Sequence, residues 1–142
     1  MQIRLKVFLS AGLFLTSTTL ASSELSVPPN LSADDAINHM VLTGSLANAY
    51  VSACKREGVA VLPEYATPDA QRDADYLVSI GYDRVELIAA RGRLSLSAIR
   101  MDAIEYMLNR GVDLNDVKSI CQAARQEIVD QTDVGKRLVL SR

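Results

Sequence analysis

Cys54 and Cys121 are the only thiols of this 142-residue chain and His39 is its only imidazole, while Asp69, Asp73 and Asp75 form its densest carboxylate group. Thiol redox catalysis needs two cysteines close together, as in Cys-x-x-Cys, with one depressed pKa. Here they stand far apart, on two different predicted helices. A structural disulfide is the favoured reading, and two unlinked or reactive thiols are the alternative. Zinc sites built from His and Cys need several such ligands, and a disulfide would consume both cysteines. His39, beside Met40, therefore reads as a surface or boundary residue. The three aspartates could ligate calcium or do acid–base work. Yet Arg72 lies among them, no EF-hand loop pattern surrounds them, and acids early in a helix complement its dipole. They read as a solvated, cap-supporting face. No Gly-x-Ser-x-Gly elbow, glycine-rich phosphate loop or Cys-x-x-Cys-His motif occurs. The residues assign no catalytic group, no metal site and no cofactor, and the chain is expected not to be an enzyme.

Helices must position these side chains. Ser32 followed by Asp35 has capping-box spacing. Beyond it Ile37, Met40, Val41, Gly44, Ala47, Val51 and Cys54 recur at helical period, with Gly58 as the stop. Val59 to Pro63 is apolar and is expected to lie over the core as a connector, since no second strand-like run offers to pair with it. Thr67-Pro68 predicts a second helix start, with Ala70, Ala74, Leu77 and Val78 on one face and Gly81 at the end. Asp83 and Glu86 open a short third helix through Val85, Ile88 and Ala89. Ser95 begins a fourth, where Leu96, Ile99, Ala103, Tyr106 and Met107 keep the period and Gly111 closes it. A fifth, from about Asn115, turns Val117, Ile120, Cys121, Ala124 and Ile128 inward, with Asp116 in its first turn. Thr132 to Leu140 could add a last short turn of helix. The expected fold is all-α, a compact bundle of five to six helices with one disulfide, in a single domain over residues 32–142. A Cys54–Cys121 bond would close a loop of about 68 residues, which chain entropy alone makes worth about 4 kcal/mol.

Residues 1–21 read as an address. Arg4 and Lys6 precede the apolar run Val7 to Leu15, which is too short to span a bilayer of ~30 Å. Polar Thr16 to Thr19 then lead into small residues. This is the layout of a secretory signal peptide, with cleavage expected after Ala21 or as late as Ser23. Residues 22–31, with Pro28-Pro29, read as a flexible leader. Export delivers the mature chain to the periplasm, an oxidising compartment where the cysteines can pair. No later run approaches the ~20 apolar residues of a transmembrane helix. Removing Arg4 and Lys6 leaves 13 basic against 17 acidic side chains, a net charge of −4. That balance gives no electrostatic reason to bind nucleic acid or anionic lipid. Both phenylalanines fall in the signal and tryptophan is absent, so the core must come mainly from Leu, Ile, Val, Met and Ala.

The C-terminal half carries a resemblance. Ile80-Gly81-Tyr82-Asp83, Glu86, Ala103 to Leu108, Arg110-Gly111-Val112, Cys121, Ala124-Arg125, Glu127-Ile128 and Gly135 to Leu138 follow one another in a familiar order. The chain resembles an uncharacterised family of small exported alphaproteobacterial proteins, known only as a domain of unknown function. The likeness covers roughly residues 75–140, and Cys54 aligns with the family's earlier cysteine. It departs after Cys54, where Lys55-Arg56-Glu57-Gly58 replaces Pro-Ser-Ile-like residues and an arginine. The resemblance implies export and supports pairing Cys54 with Cys121, but lends no activity or ligand.

Two functions fit these features. One is an exported, non-enzymatic binding or accessory module that meets an envelope protein through a helical surface. The alternative is a small periplasmic chaperone or stress protein that binds unfolded clients. The candidate partner surface is Arg125, Lys136 and Arg137. Arg125 and Glu127 fall between inward-facing Ala124 and Ile128 and are expected to point outward or toward the helix edge, where salt bridging within the domain is favoured slightly over partner contact. Lys136 and Arg137 follow on the tail. Arg91-Gly92-Arg93 is a second small basic cluster, read as a solvated turn.

Overall fold

A short polar side chain closes the first turn of every described α-helix. Ser32 accepts the Asp35 N–H ahead of α1 (Ala33–Cys54), and Asp69 accepts those of Gln71 and Arg72 ahead of α2 (Ala70–Ser79). Asp83, Ser95 and Asp116 do the same for α3 (Arg84–Gly92), α4 (Leu96–Asn109) and α5 (Val117–Asp130). Each cap satisfies amide donors that have no partner inside the helix. The structure is a computed structural model that describes residues 27–141, apart from Pro29 and Pro68. The expected signal peptide and its cleavage point lie outside the described residues. Two caps differ from expectation. Asp69 and not Thr67 caps α2, because its carboxylate reaches two amides at once, at 2.9 and 3.0 Å. Asp116 is the cap of α5 and not a member of its first turn.

The fold is all-α apart from one small sheet, with α1 as its spine. Ala36, Ile37 and Met40 on the first half of α1 are buried with Leu77 of α2 and Leu87 and Ala90 of α3. Leu46, Ala47, Tyr50 and Cys54 on the second half are buried with Met107 of α4 and with Cys121 and Ala124 of α5. A helix covered by different partners along its length buries more than one stripe. This is why Leu46 and Tyr50 are fully buried, while Val41, Gly44 and Val51, expected inward, are only partly covered. Val27 and Leu31, the described end of the expected leader, pack against the first cluster, and the Tyr82 hydroxyl donates to the Leu31 carbonyl.

Cys54 and Cys121 meet in this core as a disulfide, with sulfurs 2.11 Å apart and Cα atoms 5.4 Å apart. Both are buried, and the bond ties the last residue of α1 to the second turn of α5.

The expected connector at Val59 is instead a strand. β1 (Val59–Val61) pairs antiparallel with β2 (Leu138–Leu140), Val59 opposite Leu140 and Val61 opposite Leu138. Three-residue strands are too short to show a period-2 pattern, and a 3-10 turn over Gly135–Arg137 delivers the partner from the far end of the chain. Gly58 sits at φ +80°, and a Cβ there would lie 2.8 Å from the Ser141 carbonyl oxygen. Only glycine admits both the left-handed turn and this close approach.

Helix α3 buries a row other than the Val85 and Ile88 row that marks its period in the sequence. Leu87 and Ala90 are buried, whereas Val85 and Ile88 are exposed. Two rows of a nine-residue helix have apolar residues three apart, and packing against α1 selects the Leu87 row.

Candidate functional site

A cleft of about 250 Å³ opens between α1, the start of α2, the end of α3 and the 3-10 turn before β2. Met40, Val41 and Ala47 of α1 and Val61 of β1 supply its apolar wall, and Tyr65 stands at one side. The charged groups are Arg72, Arg91 and Arg137 against Asp69 and Asp73. Asp69 is engaged at the α2 cap. Asp73 holds Arg72 at 3.1 Å. Arg72 also donates to the Glu64 carbonyl and stacks over the Tyr65 ring, 4.9 Å from its centroid.

Arg137 is the unusual member. It is 4% exposed, and no carboxylate comes within ion-pair distance among the described residues. Its Nη2 donates weakly to the Met40 carbonyl at 3.4 Å, and its Nε has no partner. The guanidinium lies 5.1 Å from the Tyr65 centroid on its other contact. Burial pushes its pKa down, opposed by the more distant charges of Asp73 and Asp133. Gly44 makes room for it, since a Cβ there would meet Arg137 Nη1 at 3.3 Å. A glycine inside a helix costs about 1 kcal/mol relative to alanine, and here that position faces a buried cation.

A second buried charge lies on the opposite side of the core. Glu127 is 1% exposed, so the expectation that it points outward is corrected. Its Oε2 accepts from the Tyr106 hydroxyl at 3.1 Å and from the Thr132 hydroxyl, and its Oε1 is 3.2 Å from Arg110 Nη1. Charged side chains are almost never fully buried unless paired, and these partners come from α4 and the loop after α5. Gly135 packs on the same helix turn, where a Cβ would fall 1.8 Å from the Glu127 carbonyl oxygen.

Tyr50 lies beside this group, and its hydroxyl has no hydrogen-bond partner among the described residues. Burial, reinforced by the Glu127 charge, pushes its pKa up to about 12. An unfolded tyrosine ionises near 10. As pH rises from about 10 to 12 the unfolded chain therefore loses this proton first, and stability falls through that window. Tyr50→Phe is expected to cost less than about 1 kcal/mol at neutral pH, because no hydrogen bond is lost. It should recover about 2 kcal/mol of the alkaline loss by pH ~12. Urea midpoints across that range check this, and a variant that tracks wild type would refute it.

The other residues singled out by type are dispersed. His39 pairs with Asp133 at 2.8 Å at the edge of the core. Asp75 pairs with Arg84 at 2.6 Å, and that hydrogen bond holds its carboxyl below the usual range. Among the described residues no group of three or more His, Cys, Asp or Glu could hold a metal ion. Arg125 reaches Glu57 at 2.7 Å, a salt bridge within the fold, and Lys136 lies 3.6 Å from Asp133. Arg125, Lys136 and Arg137 thus do not make one exposed basic surface, because Arg137 turns into the cleft. The cleft itself was not anticipated. Its traces in the sequence are Gly44 in mid-helix and an arginine just before an apolar triplet.

The outer side of α4 is the remaining feature of note. Met101, Ile104 and Leu108 are 64%, 41% and 55% exposed, and their spacing of three and four places them on one side of the helix. Ile99 and Met107 of the same helix are buried. Helical spacing puts exposed Arg100 and Glu105 on either side of the row. No described helix is long and apolar enough to cross a membrane.

Comparison with known proteins adds one match. The model of a family of unknown function (DUF5333) matches residues 29–139. No curated protein and no solved structure matches.

Proposed function

We propose that this chain, which belongs to the DUF5333 family of unknown function, is an exported, non-enzymatic helical protein that serves as a binding or accessory module in the cell envelope. The observation that carries this reading is the apolar row Met101, Ile104 and Leu108 on the outside of α4. A helix with apolar residues on more than one side needs more than one partner, and the described residues provide only the inner one. Exposed apolar groups arranged as a patch mark interaction surfaces. The signal-like first 21 residues and the buried disulfide support an oxidising destination. The partner is an envelope protein that presents an apolar surface flanked by charges complementary to Arg100 and Glu105. No observation favours the client-binding chaperone over this reading.

The test places a photocrosslinking side chain at Leu108 and, as a control, at exposed Gln71, in the protein expressed from its full sequence. The expected result is one defined adduct in the envelope fraction from position 108 and none from position 71. The non-adduct species should have the mass of a chain starting near Ser22. Ile104→Lys should abolish the adduct while the melting temperature stays within a few degrees, since exposed substitutions usually change stability by less than about 0.5 kcal/mol. Full-length protein in the cytosol, or equal adducts from both positions, would overturn the reading.

A further inference from the structure

The cleft contains a buried cation whose only counter-charges among the described residues, Asp73 and Asp133, lie beyond ion-pair distance. Removing an ion from water costs several kcal/mol unless it is paired and hydrogen-bonded. Arg137 is 4% exposed, donates only weakly to Met40, at 3.4 Å to its carbonyl and 3.9 Å to its Sδ, has an unpartnered Nε, and meets no carboxylate within ion-pair distance among the described residues. Tyr65 offers its ring face and nothing stronger. Asp73 lines the same cleft but is turned to Arg72, and Asp69 is spent on the α2 cap. Arg91, at the end of α3, is a second lining cation with no ion pair among the described residues.

The kind of ligand follows from charge, shape and size. Three arginines against two aspartates leave the lining one positive charge, which suits a monoanion better than dianionic phosphate. A guanidinium presents a planar fork that matches the two oxygens of a carboxylate. Met40 and Tyr65 touch the guanidinium itself, and Val41, Ala47 and Val61 supply the rest of the hydrocarbon lining. About 250 Å³ is below the ~300–1,000 Å³ usual for drug-sized ligands, so the molecule is small. We propose that this cleft binds a small organic carboxylate, whose anionic head pairs with Arg137 and Arg91 and whose hydrocarbon part lies against Val41, Ala47 and Val61. The site is independent of the α4 surface, so either can fail without the other.

Isothermal titration of the purified protein with hexanoate, hexanol, hexylamine and inorganic phosphate tests this. Hexanoate is expected to bind one to one, at least tenfold more tightly than hexanol or phosphate, and hexylamine not at all. Arg91→Gln, on an exposed side chain, should weaken hexanoate binding at least threefold with an unchanged melting temperature. Arg137→Gln should abolish it. If Arg137→Gln does not fold, the wild-type series and Arg91→Gln still decide. Absence of hexanoate binding overturns the proposal, as does less than tenfold preference over hexanol or phosphate. So does an Arg91→Gln protein that binds as wild type does.

Discussion

Cys121→Ala is expected to destabilise the protein by about 2–5 kcal/mol, the range usual for losing a native bridge from a small secreted domain. The bond joins residues 67 apart in sequence, so its loss frees a long loop in the unfolded chain while removing little from the native core. Two controls separate this cause from a packing defect. Wild-type protein under reducing conditions should melt within about 1 kcal/mol of the variant, because the sulfur atom contributes less than the cross-link. A Cys54→Ala, Cys121→Ala double variant should cost scarcely more than either single one, since the first substitution already breaks the bond. Urea melts should also show a larger denaturant slope without the bridge, as the unfolded chain expands and exposes more surface. A Cys121→Ala loss below about 1 kcal/mol, or single effects that add, would mean that the cross-link does not stabilise the fold.

The disulfide was legible because its determinants are local. Each cysteine lies on the apolar side of its own helix, so helical period alone brings both to the core. Capping was legible for the same reason: Ser32, Asp83 and Ser95 each act within three residues. Features that depend on distant pairing were not. Val59–Val61 becomes a strand only because Leu138–Leu140 arrives beside it, and no pattern within either triplet announces the other. The inward row of α3 is not legible in the sequence because both of its apolar rows satisfy the period, and only α1 chooses between them. Glu127 and Arg137 show the same limit in electrostatic form. Sequence reasoning sends charged residues to the surface because burial needs partners. For Glu127 those partners sit on α4 and in the next loop, whereas for Arg137 the compensation inside the fold is incomplete. That contrast is why the first reads as structure and the second as a binding residue.

Glu127→Ala is expected to cost about 2–5 kcal/mol, from the void it leaves in the core and from two hydroxyls that lose their acceptor. The carboxylate organises three elements at once. It accepts from Tyr106 of α4 and from Thr132 after α5, and faces Arg110 beyond the end of α4. Thr132 in turn accepts the Gly135 N–H at 3.0 Å, which fixes the turn that carries Arg137. Truncation therefore leaves a void, two hydroxyls without their acceptor and a looser final turn. Arg110 is part-exposed and stacks on the Tyr106 ring, 4.4 Å from its centroid, so it can return to water at little cost. Glu127→Gln keeps an acceptor oxygen and should cost only about 1–2 kcal/mol. Arg110→Ala should cost more than a surface pair is worth, ~0–1 kcal/mol, because it leaves the buried carboxylate with hydroxyl partners alone. Adding Glu127→Gln to Arg110→Ala should then recover part of that loss, since the charge in need of compensation is gone. Urea melts of the four proteins provide the cycle. Additive effects, or a Glu127→Ala loss below about 1 kcal/mol, would show that the carboxylate does not hold these elements together. In that case the turn positioning Arg137 would have to be fixed by the β1–β2 ladder instead.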